Sequence, residues 1–454
     1  MKAVKERTVT DFFDKELRDY ALYTVENRAI PSLIDGFKPS QRKIAHTANQ
    51  VWKTGKEKPM KVFQLGGLAA SMTMFHHGSL DGTIIGMAQT FKNSMPIFQG
   101  VGQFGSLRSP EAGAPRYVGV KFNKNFRLLY QDFGLVEPQI EEGEEIEPKF
   151  FLPIIPTVLL NGGSGIAVGF ATNILNRHPV ALIEACLDVL AGKKCKLLKP
   201  WIRGFTGTFE QVPDAPKSWS ILGNFEVKNT TTVVVTEIPP SYTYEKYETH
   251  LENLIQKGTL VSYDDHSAET PHYILKFRRS ELATLRKRNR LPALLKMRER
   301  VGENYTTLDE TGSLRIFESP EEMVEYFVSF RLGYYELRKK IAIKQITKEL
   351  RLASNRLRFI NEILAGNLLI NNRPKKDIVA DLAIMGFDKE DGSYNYLLNM
   401  SIYSLTKEKA AELGRLQISK KAELEQITKT SPQKMYESDL RKLLKEIKND
   451  ITGV

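Results

Sequence analysis

The chain has 454 residues, and its 65 Lys and Arg against 54 Asp and Glu give a formal net charge of +11. A hydrophobic content of 41% excludes a disordered chain, and the length suggests about three domains. The two cysteines, Cys186 and Cys195, are too few for a structural zinc site, and neither an apolar signal core nor a membrane-length segment is present. We therefore expect a reduced, cytoplasmic protein without a membrane span, whose positive charge favours nucleic acid as a partner.

The first part of the chain predicts short helices in a basic context. A capping pattern that starts at Thr8 precedes apolar residues at three- and four-residue steps, which predicts an amphipathic helix. Pro39 and Ser79 mark the starts of two further helices, and this pair suggests a relative of the helix-turn-helix. Residues 99–122, rich in Gly, Pro and Arg, predict an exposed loop, and the acidic run at 141–149 predicts a joint between domains.

The middle and the end of the chain predict different kinds of structure. Residues 218–279 contain β-rich stretches with a helical pattern between them, which predicts a mixed α/β domain. From Ile343 to Leu364, apolar residues step alternately by three and four and form a heptad seam that needs a partner helix. Helices predicted to begin near Thr406 and Ser431 supply that partner, in an antiparallel coiled coil with a small domain at its tip. On spacing alone, an ordinary helix within a bundle remains the alternative.

The glycine-rich stretch GVGQFGSLRSPEAGAPRYVGVKF contains a candidate nucleophile, Tyr117, next to Arg116. A deprotonated tyrosine can attack phosphorus when cations stabilise the charge that develops, and Arg28, Arg42 and Lys43 are further cations in basic segments. The dipeptide by itself is weak evidence, because the chain has 17 tyrosines and an isolated Arg-Tyr pair more often packs on a surface.

Two other segments hold candidate site residues with structural alternatives. His76 and His77 can relay a proton or hydrogen-bond a phosphate, but a histidine before a helix also serves as a cap or a core residue. The segment NGGSGIAVG lacks the Lys-Ser/Thr pair of a phosphate loop and predicts a tight turn. Its Ile166 would either pack in the core or enter a DNA base step as a wedge. The sequence shows neither an ATP-binding loop nor a two-metal carboxylate pattern, so we assign no metal ligand to this chain.

Taken in order, these segments resemble the motifs of the type IIA DNA topoisomerases, in the part that breaks and rejoins DNA. The segments RAIPSLIDGFKPSQRK, FHHG, TIIGMAQ, QFGS, APRY and LLNGGSGIAVGFATNI match motifs of the family over nearly the whole chain. FRLGYYELRKK and SPQKMYESDL look like the two strands of the eukaryotic coiled coil. The chain departs from the gyrase pattern at Gln41 and Pro115, and its mixture of gyrase-like and eukaryote-like motifs resembles the bacteriophage branch of the family.

The resemblance implies a role for each matching residue. Tyr117 would attack a DNA phosphodiester to give a 5′-phosphotyrosyl bond, with Arg116, Arg28, Arg42 and His77 as the other catalytic residues. The implied DNA-binding residues are Lys38, Lys43, His76, Ile166 and Arg108. The isoleucine would wedge into the duplex and bend it.

The resemblance also implies a multidomain α+β fold. Its parts are a winged-helix domain, an α/β tower domain, and a long antiparallel coiled coil with a helical dimer-gate domain. The expected residue ranges are 1–33 for an N-terminal helical arm, 34–144 for the winged-helix domain with the catalytic tyrosine, 145–318 for the tower, 319–366 and 406–454 for the coiled coil, and 367–405 for the dimerisation gate.

The implied function is that of the DNA-cleaving and rejoining subunit of an ATP-dependent type II topoisomerase. Such an enzyme makes a transient double-strand break and passes a second duplex through it to relax or unlink DNA. The expected partners are double-stranded DNA, a second copy of the chain bound through the dimerisation gate, and a subunit that binds ATP and supplies most of the Mg²⁺ ligands. In the bacteriophage branch, this complex would act in the cytoplasm of the bacterial host.

Two other functions explain part of the pattern. A DNA-bending and bridging dimer of the same fold, without cleavage, accounts for the charge, the wedge and the coiled coil but leaves Arg116 and Tyr117 unexplained. A tyrosine recombinase shares Arg, His and Tyr chemistry, but it would join to the 3′ phosphate and would need neither ATP nor a partner with carboxylates. Metal dependence of cleavage separates the two enzymes.

Overall fold

The computed structural model describes residues 12–53, 57–75 and 78–451. These residues form two compact units: one contains the chain up to Arg331 and again from Asp439 onward, and the other contains Leu332–Ser438. Helices and strands are both present in the first unit, whereas the second is mainly helical. The mixture of helix and strand predicted from the sequence is confirmed. Within the described ranges, no helix is both long enough and apolar enough to span a membrane.

The first described residues form a helix whose predicted apolar face is largely exposed. Its segments have π, α and π geometry and are, in order, Phe12–Leu17, α1 (Arg18–Thr24) and Val25–Ala29. Phe13 and Tyr20 are exposed, whereas Thr24 is buried. The predicted start at Thr8 lies outside the described residues.

Three helices and a small sheet follow, and they enclose an aromatic core. The helices are α2 (Pro39–Val51), α3 (Val62–Met72) and α4 (Asp81–Ala88), and the strands are β1 (Met60–Lys61), β2 (Phe98–Val101) and β3 (Gly119–Phe122), in the order β1-β3-β2. The ring of Trp52 lies 5.1 Å from that of Phe122, and Phe122 stacks on Phe126 at 3.8 Å. These rings fill the space between the sheet and α2 and so fix the position of β3, the central strand that follows the candidate nucleophile.

The predictions for this region are confirmed in part. The helices predicted from Pro39 and Ser79 are present as α2 and α4, but the sequence does not predict α3, because Gly66 and Gly67 weaken its helical pattern. The prediction of a loop over residues 99–122 is wrong at both ends, where β2 pairs with β3. The two strands are separated by irregular backbone, so the local pattern carries no signal of their pairing.

The acidic run at 141–149 lies in a β-hairpin. It follows α5 (Phe126–Leu129) and consists of β4 (Pro138–Glu141) and β5 (Glu144–Pro148), paired antiparallel. Glu142 and Gly143 take φ values of 51° and 91°, the left-handed conformation of a two-residue hairpin turn. Most of its acidic side chains form the solvated surface of the strand pair, Glu147 is buried, and the domain boundary near residue 145 stays a prediction.

A second hairpin carries Ile166. It consists of β6 (Gly163–Ile166) and β7 (Ala171–Ile174), and it lies between α6 (Thr157–Asn161) and α7 (Pro179–Leu190). A Cβ atom at Gly165 would lie 2.0 Å from the carbonyl oxygen of Ala29, so only glycine permits this approach of the hairpin to the first helix. The segment predicted as a tight turn is therefore a strand pair. It packs against the backbone of Ala29, next to Arg28.

The middle of the chain is a set of antiparallel sheets with helices packed on them. The strands are β8 (Thr208–Val212), β9 (Ala215–Leu222), β10 (Asn224–Val227), β11 (Thr232–Glu237), β12 (Ser262–Asp265), β13 (Tyr273–Lys276), β14 (Arg298–Gly302), β15 (Tyr305–Leu308) and β16 (Leu314–Phe317). The helices are α8 (Tyr244–Gln256), α9 (Arg279–Lys287) and α10 (Leu291–Leu294). The larger sheets have the orders β10-β11-β13-β12 and β14-β9-β8, and Val235, Tyr247 and Leu275 belong to one core between sheet and helices. The mixed α/β character predicted for residues 218–279 is confirmed.

Long helices in the second unit run antiparallel to each other. The helices that contribute to it are α11 (Pro320–Leu364), α12 (Lys375–Ile384), α13 (Asn395–Leu398), α14 (Lys407–Lys429) and α15 (Pro432–Ile451), with a 3₁₀ turn at Ile402–Ser404. Tyr335 on α11 stacks on Tyr436 of α15 at 4.5 Å, and Ser354 further along α11 accepts a hydrogen bond from Gln417 of α14. As the residue numbers along α11 rise, the residue numbers of the contacts on α15 and α14 fall, so these helices run antiparallel to α11. The helix starts predicted near Thr406 and Ser431 are confirmed.

The predicted heptad seam alternates between half-buried and buried residues until its last position. Ile346, Ala353 and Ile360 are buried, whereas Leu364, at the end of α11, is 44% exposed. Beyond this end, α12 and α13 gather around a separate apolar cluster. Its buried members are Phe359, Leu368, Ile378, Leu382, Phe387, Tyr394 and Leu397.

Candidate functional site

Tyr117 lies in the turn that leads into β3, and it is 67% exposed. Hydrogen bonds from the amides of Tyr117 and Val118 to the carbonyl of Ala114, at 2.9 and 3.3 Å, close the turn. The Arg116 guanidinium lies 4.9 Å from the centre of the Tyr117 ring. A cation at the face of an exposed phenol places positive charge where an approaching phosphate would meet the ring. The structure thus keeps the Arg-Tyr pair together and open to solvent.

The N-terminal end of α3 supports this turn. Two amides in the first turn of α3 donate hydrogen bonds to the carbonyls of Val118 and Pro115, at 3.1 and 3.3 Å. Lys61, which precedes the helix, donates from Nζ to the Tyr117 carbonyl at 2.6 Å. Amides at a helix N-terminus carry partial positive charge, so α3 and Lys61 add positive potential beside Tyr117. Sequence reasoning missed Lys61, because its place depends on the pairing of β1 with β3, which has no local signal.

The loop before Tyr117 is held by a buried amide side chain. Gln89, the residue that follows α4, donates from Nε2 to the carbonyls of Phe104 and Pro110, at 2.9 and 3.0 Å. The Gly113 amide donates to the Gln103 carbonyl at 2.9 Å. The glycine-rich loop therefore has a shape fixed by its own backbone and by the helix next to it.

Arg108, which was predicted to bind DNA, is 3% exposed and contacts its own chain. Its guanidinium donates to the Glu237 carboxylate and to the carbonyls of Ile238, Pro239 and Tyr242. Burial lowers the pKa of Arg108, and the charge of Glu237 opposes that shift. Because the guanidinium is buried among these acceptors, a phosphate cannot reach it, and the prediction of a DNA contact is wrong. An arginine in a basic loop gives the same sequence pattern whether it meets a phosphate or a buried carboxylate.

Arg28 and Lys38 line two neighbouring clefts. The larger, of about 600 Å³, also contains Lys92, and the smaller, of about 500 Å³, contains Ile166. Lys38 donates from Nζ to the Ser164 carbonyl at 2.7 Å, and burial lowers the pKa of Lys38. The exposed Arg28 and the partly buried Lys38 therefore form a cationic surface beside the β6-β7 hairpin.

Ile166 is 88% exposed at the end of β6. An isoleucine so placed contributes little to the core, and contact with another surface would remove its apolar area from water. Val168 and Phe170 in the same hairpin are exposed to a smaller extent. The alternative of core packing is therefore wrong, and the exposed apolar side chain that a DNA wedge requires is present.

Arg42 and Lys43 on α2 are paired with carboxylates of the same chain. Arg42 donates from Nε and Nη2 to Oδ2 and Oδ1 of the buried Asp35, at 2.7 and 3.1 Å. Lys43 Nζ lies 2.9 Å from Oε1 of Glu147 and donates to the Thr73 carbonyl at 2.7 Å. Both pairs are largely buried, so these carboxylates compensate much of the charge that the sequence assigns to DNA. A direct phosphate contact by either residue stays a prediction.

His76 and His77 lie outside the described residues. In the described part of the chain, no group of three or more His, Cys, Asp or Glu side chains could hold a metal ion. Mg²⁺ takes oxygen ligands, which in proteins are often carboxylates. No step on this chain is assigned to a magnesium ion.

Comparison with known proteins identifies the family. Residues 28–444 match the family of the A subunits of DNA gyrase/topoisomerase IV. Over 446 residues the chain is 32% identical to the DNA topoisomerase medium subunit of Enterobacteria phage T4, which covers 97% of this chain and 99% of that protein. It is 32% identical to DNA topoisomerase 2 of Arabidopsis thaliana, over 97% of this chain but 33% of the plant protein. The solved topoisomerase II DNA-binding, cleavage and re-ligation domain of Plasmodium falciparum matches with a TM-score of 0.86 and 29% identity, over 97% of this chain and 65% of that chain.

The fold and these matches define a type II DNA topoisomerase. The chain belongs to the family of the DNA gyrase and topoisomerase IV A subunits. The predictions of a type IIA topoisomerase and of a protein that cleaves and rejoins DNA are confirmed, as is the resemblance to the bacteriophage branch. The chain spans nearly all of the T4 protein but about a third of the plant enzyme, so the activity of the whole eukaryotic enzyme is not transferred to it.

Proposed function

We propose that Tyr117 is the nucleophile of the DNA-cleaving and rejoining reaction. Its phenolate oxygen bonds to a backbone phosphorus, and the bond from that phosphorus to the 3′ oxygen of the preceding nucleotide breaks. The products are a 5′-phosphotyrosyl linkage and a 3′ hydroxyl that has taken up a proton. Attack by that hydroxyl on the linkage reseals the strand. The observation that carries the proposal is the exposed position of Tyr117 beside Arg116 and the N-terminal end of α3.

Positive charge around Tyr117 supports this role. A phenol is a strong nucleophile only without its proton, and cations stabilise the charge that develops on phosphate oxygens in the transition state. Arg116 and Lys61 place two such cations beside it. Arg28 and His77 keep the catalytic roles that the resemblance to the family implies. The exposure of the Arg28 side chain supports its catalytic role.

The duplex to be cut lies against a surface that we name the hairpin face, formed by Arg28, Lys38 and Ile166. Arg28 and Lys38 neutralise backbone phosphates, and the affinity they contribute falls as the salt concentration rises. Ile166 enters a base step, and the partial unstacking bends the duplex. The exposure of Ile166 and the cationic clefts beside it support this placement of DNA.

Arg42 and Lys43 contribute mainly by fixing α2. Asp35, the partner of Arg42, also accepts hydrogen bonds from the amides of Phe37 and Phe151, at 3.0 and 3.1 Å. The Asp35 carboxylate thus connects α2 to the backbone at Phe37, which precedes the helix, and at Phe151, which follows it in the chain. We assign both cations a role in positioning α2 rather than the first contact with the scissile phosphate.

We propose that the chain is divided into five parts. Residues 34–144 form the winged-helix domain and 145–318 the tower, with 1–33 as the N-terminal arm. Residues 319–366 and 406–454 form the coiled coil, which the antiparallel contacts of α11 support. Residues 367–405 form the gate that binds a second copy, and the exposure of Leu369, Ile384 and Tyr403 in this range supports an apolar contact there.

Other subunits supply ATP hydrolysis and the magnesium ligands. The T4 relative is named a medium subunit, and such a name implies further subunits in its complex. When bound by a partner near the scissile phosphate, Mg²⁺ supplies electrostatic stabilisation of the oxygens around phosphorus. The likeness to a phage protein supports the bacterial host cytoplasm as its location.

A covalent-complex assay with the full chain tests the nucleophile. The chain is mixed with end-labelled supercoiled DNA and Mg²⁺, with and without the partner ATPase subunits, then denatured and digested with protease. We expect protein on the 5′ ends of staggered double-strand breaks. Tyr117→Phe should bind DNA and form no adduct, whereas Tyr263→Phe, at a partly exposed tyrosine of β12, should behave as the wild type.

Other results would favour the alternatives. Binding and bending without any adduct in the complete assembly would identify a DNA-bridging dimer that does not cleave. Adducts on 3′ ends, formed without Mg²⁺, would identify the chemistry of a tyrosine recombinase. Adducts that persist in Tyr117→Phe would assign the nucleophile to another residue.

A further inference from the structure

We infer that Arg108 is a positioning residue for Tyr117: it fixes the loop that carries the nucleophile to residues 237–244, at the end of β11 and the start of α8. The inference rests on the proposed role of Tyr117. It assigns no DNA contact to Arg108, because the side chain is buried. Arg108 therefore acts on the reaction through the position of another residue.

Arg108 is attached to residues 237–244 by its side chain and by its backbone. The guanidinium donates to the Glu237 carboxylate and to three carbonyls, those of Ile238 at 2.6 Å, Pro239 at 3.1 Å and Tyr242 at 2.9 Å. The Arg108 carbonyl accepts a hydrogen bond of 3.1 Å from the amide of Tyr244, the first residue of α8. One residue of the loop is thus bonded to a strand end, a turn and a helix start.

Other hydrogen bonds hold the Glu237 carboxylate in position for the Arg108 guanidinium. It is buried at the end of β11, and its Oε2 accepts hydrogen bonds from the amide and the hydroxyl of Thr206, both at 2.9 Å. Its Oε1 accepts from the amide of Ile238 at 3.1 Å as well as from Arg108. A buried carboxylate and a buried guanidinium hold each other in place, because either one alone would be an uncompensated charge. The pair is therefore a rigid attachment.

The loop transmits the position of Arg108 to Tyr117 through its own hydrogen bonds. Ser109 closes the turn around Arg108 by accepting a backbone hydrogen bond of 2.8 Å, and Gln89 holds the carbonyl of the next residue, Pro110. At the other end of the loop, α3 and Lys61 hold the Tyr117 turn. Attack on phosphorus depends steeply on the position of the nucleophile, since a misplacement of about 1 Å can cost about 10²-fold in rate. Loosening the attachment should therefore slow the attack more than it weakens DNA binding.

Two variants test the inference in the full chain with its partner subunits, Mg²⁺ and supercoiled DNA. Arg108→Lys keeps the charge but loses the planar fork of donors, and Thr206→Val removes one of the hydrogen bonds that orient Glu237. The measurements are the rate of adduct formation at saturating DNA and the DNA affinity over a series of salt concentrations. We expect the rate to fall about tenfold or more in Arg108→Lys and less in Thr206→Val. The DNA affinity and its salt dependence should not change in either variant.

Arg177→Lys is the matched control. Arg177 and Glu303 form an ion pair of similar burial elsewhere in the same unit, with Nη2 2.8 Å from Oε2. This variant should lower thermal stability to a similar extent as Arg108→Lys. Below the unfolding temperature it should leave the rate of adduct formation unchanged.

The results separate the inference from the proposed function. An unchanged rate in both Arg108→Lys and Thr206→Val would overturn the role of Arg108 and leave Tyr117 in place. An equal loss of rate in Arg177→Lys would also overturn it, because the effect would then be one of general stability. Weaker DNA binding in Arg108→Lys together with an unchanged rate at saturating DNA would point to a DNA contact instead. The nucleophile itself is tested separately by Tyr117→Phe.

Discussion

Lys61 donates a hydrogen bond from Nζ to the backbone carbonyl of Tyr117 at 2.6 Å, and it stands opposite Gly119 where β1 pairs with β3. The strand pairing already fixes the backbone on both sides of this bond. The further contribution of the side chain is a positive charge next to the candidate nucleophile. Lys61 is therefore expected to affect the reaction more than the stability of the fold.

Lys61→Met should lower the rate of adduct formation about fivefold, because an exposed charge of this kind contributes about 1 kcal/mol. The melting temperature should change little. Single-turnover adduct formation at saturating DNA measures the first effect, and thermal unfolding measures the second. Lys257→Met, at the end of α8, removes the same net charge far along the chain, and an equal loss in both variants would attribute the effect to net charge alone.

Ile166→Ala should reduce DNA bending and cleavage without lowering stability. The side chain is largely exposed, so the free energy of unfolding should change by less than about 0.5 kcal/mol. Energy transfer between dyes at the two ends of a short duplex measures the bend. Ile140→Ala, at an exposed isoleucine of β4, should leave the bend unchanged. A wild-type bend angle in Ile166→Ala would exclude the wedge.

Gly165→Ala should push the β6-β7 hairpin away from the helix that carries Arg28. The added Cβ atom would lie 2.0 Å from the Ala29 carbonyl oxygen, so backbone must move, at a cost of about 1–3 kcal/mol. Gly82→Ala, on α4, meets no atom within 4 Å and should stabilise the fold by about 0.5–1 kcal/mol, since alanine suits a helix better than glycine. Urea unfolding measures both changes. Destabilisation of the same size in the two variants would contradict the close approach.

Elements with a local signal could be predicted from the sequence. Thr406 is an example: the sequence predicts a helix start there, and its hydroxyl accepts a hydrogen bond from the Lys409 amide at 3.2 Å as an N-cap. Arg116 and Tyr117 are neighbours in sequence, so their proximity in the site needed no knowledge of the fold. The heptad spacing likewise identified α11.

Contacts between distant residues could not be predicted in this way. Arg108 and Glu237 are 129 positions apart, and Lys43 and Glu147 are 104 apart. The pattern around a basic residue is the same whether its partner is a DNA phosphate or a buried carboxylate of the chain, because both are anions that accept the same hydrogen bonds. The error at Arg108 and the omission of Lys61 have this common origin.

Glu147 should make the stability of the fold depend on pH in the acid range. Burial raises the pKa of the Glu147 carboxyl above its ordinary value of 4.5, although Lys43 opposes the shift. A carboxyl whose pKa is higher in the folded state binds more protons when folded. The contribution of Glu147 to the free energy of unfolding therefore falls as the pH rises from the ordinary value through the raised one.

Glu147→Gln should remove this decrease in the free energy of unfolding with rising pH, because an amide does not titrate. Near about pH 4 the protonated carboxyl and the amide are both uncharged, so the two proteins should differ least in stability there. Urea unfolding of both proteins from about pH 4 to about pH 7 gives the difference in stability, and any stability advantage of the wild type over the variant should fall as the pH rises. If that advantage instead grows with pH, the attraction of Lys43 outweighs burial, and the pKa of Glu147 lies below its ordinary value.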